Sequence, residues 1–122
     1  MPGMIKNYSD LVRHLLKHRV RQEVARSFVR LIKDSEYEPE QNRFVFRSSH
    51  HYYTEPRLRQ FGREIGIIWT RIGEDGHYQK RYVWTIGDKL DSGLLDQIVE
   101  IKMKQDSRNL EGIASISTLL DN

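Results

Sequence analysis

The 122-residue chain contains no cysteine, which removes disulfides, thiolate metal sites and cysteine nucleophiles together. That fits a reducing setting, cytoplasmic or, in a eukaryote, nuclear. No apolar run approaches the roughly 18–20 residues needed to span a bilayer, so the sequence predicts neither a transmembrane segment nor a membrane partner. The opening MPGMIKNYSD lacks an apolar signal core, and no secretory leader is expected. Internal repeats and low-complexity tracts are missing too. So are a phosphate-cradling glycine loop, a dinucleotide fingerprint and a Ser-His-Asp order. Nothing in the motifs calls for a cofactor or a metal.

What remains is 38% hydrophobic, 30% charged and 10% aromatic, the mixture of a folded domain covering 1–122. The net charge of +3 is unevenly spread: residues 1–33 carry +6, 34–42 carry −4, 43–81 carry +4 and 82–122 carry −3. A partner for a polyanion needs a local positive face, not a large total. The central cations are mostly arginine, whose planar fork suits phosphates and base edges.

Residues 8–35 read as helical, capped by Ser9 or Asn7, with Asp10 in the first turn. Leu11/Leu15 and Val12/Leu16 form one apolar series, and Val24, Phe28, Leu31 and Ile32 a second. The spacing suggests a break near Val20–Arg21. No glycine or proline marks it, so one long helix stays open. The acidic segment 34–42, with Pro39, ends the pattern. Arg43–Arg47 then has the residues of a strand.

Thr54 caps a further helix with Pro56 in its first turn, Leu58, Phe61 and Ile65 pointing inward, and Gly66 as its stop. Ile67–Ile72 reads as a strand, Gly73–Gly76 as a turn and Tyr78–Ile86 as the returning strand. Trp69 and Trp84 face one another in it and belong to the core. Residues 92–120 read as helical, although Val99, Ile101 and Met103 also alternate as a strand would. The apolar spacing of Leu110, Ile113 and Leu120 would close the core or form a homodimer through this C-terminal segment.

The helix after Pro56 offers Arg57, Arg59, Gln60 and Arg63, and the hairpin offers Arg71, His77, Gln79, Lys80 and Arg81. Arginine and lysine bind phosphates, while arginine and glutamine can read guanine and adenine edges. The plain alternative is a solvated helix and hairpin with incidental arginines.

The stretches PRLRQFGREIG and WTRIGEDGHYQKRYVW, about residues 56–86, resemble the winged helix-turn-helix domains of RFX-type transcription factors and the C-terminal winged helices of some viral and plasmid primase-helicases. The resemblance implies an α+β, predominantly helical fold. A winged-helix-like unit would span 43–87, with additional N- and C-terminal helices. It also implies DNA binding, with the helix from Pro56 and the hairpin near His77–Arg81 as contact elements; with the nine residues above, the expected role is a transcriptional regulator or a replication accessory factor. A short helix before the recognition helix would have to come from Ser48–Tyr53.

Two other classes compete. Val99-Glu100-Ile101-Lys102 matches the E-x-K half of a metal-dependent nuclease signature, with Asp88 or Asp91 as the preceding acid. A protein–protein adaptor, such as a viral or phage factor, would need no nucleic acid at all. Adjacent His50 and His51 point to opposite sides of a strand and make a poor zinc pair. Beside Tyr52 and Tyr53 they suit base stacking or a polar loop.

Overall fold

The computed structural model describes the backbone of residues 5–48, 54–75 and 79–120, and the side chains of these except 74, 75, 79 and 108–120. The fold is α+β, about half helical. Helices α1 (Tyr8–Lys17) and α2 (Gln22–Asp34) lead into strands β1 (Glu36–Glu38) and β2 (Arg43–Ser48). Helix α3 (Thr54–Glu64), strands β3 (Ile67–Asp75) and β4 (Gln79–Ile86), and helix α4 (Leu94–Leu120) follow. The four strands form one antiparallel sheet in the order β1-β2-β4-β3.

Asn7 caps α1, its side chain accepting from the Asp10 N–H at 2.8 Å. Leu11 and Leu15 are fully buried, whereas Leu16 is 41% exposed, so one of the two apolar pairs expected on this helix faces solvent in part. The break between the helices is real and is made by backbone geometry. Val20 N–H donates to the Leu15 carbonyl and Arg19 N–H to the Leu16 carbonyl, both at 3.0 Å. This is the paired bonding of a Schellman stop. Arg19 occupies its left-handed position at φ 66°, a place usually given to glycine. Val20 and Leu15, both buried, supply the apolar contact that accompanies the motif.

The acidic segment does more than end α2. Glu36–Glu38 pairs with β2, Glu38 opposite Arg43, and the Arg43 Nε lies 2.6 Å from Glu38 Oε1. Asn42, at φ 50°, closes the hairpin, and its N–H donates to the Pro39 carbonyl. Asparagine tolerates this left-handed conformation better than most residues.

One face of the sheet carries Phe44, Tyr82, Trp84, Ile86 and Ile67 against α2 and α3. The Phe28 ring meets Phe61 and Trp84 edge-on, both at 5.5 Å, and Phe44 stacks on Trp84 at 4.2 Å. Trp69 pairs with Trp84 in register, but it is only half-buried and its ring tilts over Tyr82 at 5.9 Å. At the centre Trp84 Nε1 donates to Ser35 Oγ at 3.0 Å, and that hydroxyl donates to the Leu31 carbonyl at 2.6 Å.

The ambiguous segment after residue 92 is helical. Leu94, Ile98 and Ile101 turn into the core. Gln97 Oε1 accepts from the Ile5 N–H at 3.0 Å, and the Lys102 Nζ donates to the Lys33 carbonyl at 3.0 Å. The first half of α4 thus ties the chain's start to the end of α2. The apolar positions from Leu110 onward, on which the homodimer expectation rests, lie outside the described side chains. Among the described residues no helix is long and apolar enough to cross a membrane.

Candidate nucleic-acid interface

Helix α3 is held by three buried residues, Leu58, Phe61 and the following Ile65, spaced so that the opposite side must face out. There Pro56, Arg59 and Arg63 are exposed in one row, with half-buried Gln60 at its border. Arg63 makes no ion pair or hydrogen bond among the described residues. Arg59 reaches Glu55, one turn back, only at 3.9 Å.

Arg57 turns away toward α2, donating to Gln60 Oε1 at 2.8 Å and lying 3.6 Å from Glu23. On the same flank Arg21 holds Glu64 at 3.2 Å. Arg57 is therefore partly engaged, and the amide nitrogen is what Gln60 has left to offer. The stop of α3 is as expected: Gly66 sits at φ 92°, and a Cβ there would meet Lys89 Cβ at 2.6 Å.

The hairpin differs from its expected form. β3 runs on through Gly73 and Glu74 to Asp75, and β4 starts at Gln79, so the connection falls on residues 76–78 and not on 73–76. A bulge intervenes: Arg71 pairs with Tyr82 but Gly73 with Arg81, leaving Ile72 as the extra residue. His77 lies outside the described residues, as does the side chain of Gln79. Residues 49–53, which would supply the additional short helix and which include His50, His51, Tyr52 and Tyr53, are also outside them. Ser48 itself ends β2.

Strand alternation divides the hairpin cations. Arg71 and Lys80 share the face of Tyr82, the side on which α3 packs, because residues two apart on a strand, and residues directly paired across it, lie on the same side. Arg81 belongs to the opposite face, directly across from Arg47 of β2. The described members of the expected set of nine therefore do not share one surface: Arg81 lies on the other face of the sheet, and Arg57 is turned toward α2. The α3 side gathers Arg59, Gln60, Arg63, Arg71 and Lys80. Arg81 joins Arg47, a residue that sequence reasoning leaves unassigned because its register with β4 is not legible there.

One hydroxyl links helix and hairpin. Tyr82 is 1% exposed and donates to Glu55 Oε2 at 3.0 Å. Burial, and then this bond to a carboxylate, push its pKa up to about 12, while the nearby positive charge of Arg71 acts in the opposite direction. Arg71, paired with Tyr82 across the strands, is thus on the face where the start of α3 is held.

The E-x-K segment lies on α4, where residues two apart point about 200° around the helix axis from one another. Glu100 is exposed and 3.3 Å from Lys104, whereas Lys102 is 5% exposed and bonded to the Lys33 carbonyl. The strand geometry that would aim Glu100 and Lys102 at one ion is not formed. Asp88 is exposed in the link after β4, and Asp91 lies beside His14 of α1.

No family model, curated protein or solved structure matches the chain. The structure itself shows an α+β domain with an arginine-bearing helix seated beside a β-hairpin.

Proposed function

We propose that this protein binds nucleic acid, double-stranded DNA first, through the outward row of α3 and the adjoining flank of the β3–β4 hairpin. In this reading the α3–β3–β4 unit, with β2 beside β4, works as a winged helix in a transcriptional regulator or replication accessory factor. One observation carries it: Arg59 and Arg63 stand exposed one turn apart, with Arg63 free of any carboxylate among the described residues, and Arg71 is on the same side. Such a row can follow a phosphate backbone, with Gln60 at its border.

Fluorescence anisotropy with a random duplex and a single strand, at two salt concentrations and with or without Mg²⁺, tests the proposal. Duplex binding should weaken steeply with salt, and each phosphate contact removed should lower the log–log slope by about 0.9. Arg59→Ala and Arg63→Ala should each weaken binding while the circular dichroism spectrum is unchanged. Arg81→Ala, on the far face, should cost less than either. If Arg59→Ala and Arg63→Ala both bind like the wild type, α3 is not the contact element.

A further inference from the structure

Two histidines one turn apart close the exposed side of α1. His14 and His18 stand with ring centroids 4.6 Å apart and planes at 58°. The link between β4 and α4 brings Asp91 against them, its Oδ2 3.4 Å from His14 Nε2. One ligand atom from each of the three residues lies within 4.8 Å of the other two.

His14 Nε2 is buried yet has no hydrogen-bond partner among the described residues. The Asp91 oxygen is within ion-pairing range of it, but the geometry does not make a hydrogen bond. A buried imidazole nitrogen facing a carboxylate without bonding to it leaves two electron-pair donors that a cation between them would satisfy.

We propose that His14, His18 and Asp91 form a binding site for a divalent transition ion of the zinc class. Imidazole nitrogen with a single carboxylate is a donor set for Zn²⁺ and its borderline neighbours, and a poor one for Mg²⁺ or Ca²⁺, which demand oxygen. Three protein ligands leave a fourth position for water, the pattern of open zinc sites.

In a filled tetrahedral site, bond lengths of about 2.0–2.1 Å bring neighbouring ligand atoms to roughly 3.3 Å. His14 and Asp91 are already at that separation. His18 is exposed at the helix end, so its ring can close the remaining distance by turning about its side-chain bonds.

The environment favours the ligand form. Burial first, and then the facing His18, lower the pKa of His14, while Asp91 acts against the shift and Lys17 adds to it. Lys17 is exposed and can swing clear of an incoming cation. An ion held there would fasten the segment before α4 to α1, independently of any nucleic-acid binding.

The test is titration of the tag-free, full-length protein with ZnCl₂ by calorimetry and with CoCl₂ by visible absorption, followed by thermal melting. The expected result is one equivalent of Zn²⁺ and the intense bands of four-coordinate Co²⁺. A rise in Tm with Zn²⁺, absent with Mg²⁺, should accompany them. His18→Ala and Asp91→Asn both alter side chains that are not fully buried and are expected to fold. Each should weaken Zn²⁺ binding at least tenfold and abolish the Co²⁺ bands. The combined His50→Ala, His51→Ala, His77→Ala variant should bind as the wild type does. Zn²⁺ binding that survives His18→Ala and Asp91→Asn, or that is lost in the triple variant, overturns the proposal. So does the absence of any binding.

Discussion

Ser35→Ala removes one oxygen from the middle of the core, at a point where two hydrogen bonds meet. Ser35 is 2% exposed and Trp84 1%, so neither end of their bond can turn to water. Without the hydroxyl, the Trp84 indole N–H loses its acceptor at 3.0 Å. The Leu31 carbonyl also loses its donor, because the Ser35 N–H already goes to Ile32. A buried polar group left unpaired costs about 1–3 kcal/mol. Two such groups, with some relaxation, give about 2–4 kcal/mol, a large part of the roughly 5–15 kcal/mol that holds a domain together. The assay is urea unfolding followed by tryptophan fluorescence, with the free energy extrapolated to water. A double-mutant cycle with Trp84→Phe isolates the shared bond: Ser35→Ala should cost about 1–2 kcal/mol less once the indole donor is gone. A Ser35→Ala protein within about 0.5 kcal/mol of the wild type would refute the reasoning, since surface substitutions cost no more than that.

Arg19→Gly should stabilise the protein by about 0.5–1 kcal/mol in thermal unfolding. The left-handed conformation costs a non-glycine residue about 1–2 kcal/mol, offset by about 0.4–1 kcal/mol of extra unfolded-chain entropy. Lys102→Met keeps the apolar stem but strips the cap from the Lys33 carbonyl. Chemical denaturation should register a loss of about 1–3 kcal/mol. Tyr82 carries a pKa of about 12 against 10.0 in the unfolded chain, so between these values the unfolded state loses its proton first. Its contribution is complete below pH 10 and vanishes as pH rises toward 12, at most about 2–3 kcal/mol for two units. Stability measured from pH 9 to 11.5 should fall less steeply in Tyr82→Phe than in the wild type. Tyr8 is raised to about 12 as well, by burial and by Asp106, but its buried hydroxyl has no partner among the described residues. At pH 7 Tyr8→Phe should therefore be neutral or slightly stabilising, and Tyr82→Phe destabilising.

Most of the elements are legible in the sequence because their signals are local. The stripe Leu58–Phe61–Ile65 and the stop at Gly66 each need only a turn or two of chain to be read, whereas Thr54, expected as the cap, is already the first residue of α3. The end of α1 is harder, since its left-handed residue is Arg19 and no glycine announces it. β1 is hidden for a different reason. Glu36 and Glu38 have no strand propensity to speak of, and they are ordered by pairing with β2 and by the Glu38–Arg43 contact. The helix–strand ambiguity at 99–104 comes from charge alternating with apolar residues, and the packing of Ile98, Ile101 and Lys102 against the rest of the chain decides it. The site is legible in its helix and not in its hairpin. Which side a strand residue faces depends on register, and here the bulge at Ile72 resets it.

That bulge fixes how the hairpin can serve α3. Before it, Arg71 shares the Tyr82 side; after it, the register sets position 74, a glutamate, opposite Lys80. Were Ile72 paired with Arg81 instead of bulged, Gly73 would take that place and both acids would move by one step. Arg71 is thus on the face of the sheet that α3 covers, and the distal part of the hairpin carries mixed charge. A duplex lying along Arg59 and Arg63 would meet the sheet from the face that carries Arg71, whereas Arg81 and Arg47, on the far face, could reach only a strand that passes around the sheet. Reversing Arg71 to glutamate should therefore cost more duplex affinity than reversing Arg47, measured by the same anisotropy titration. An equal loss for both would mean that the two faces of the sheet are not distinguished by the partner.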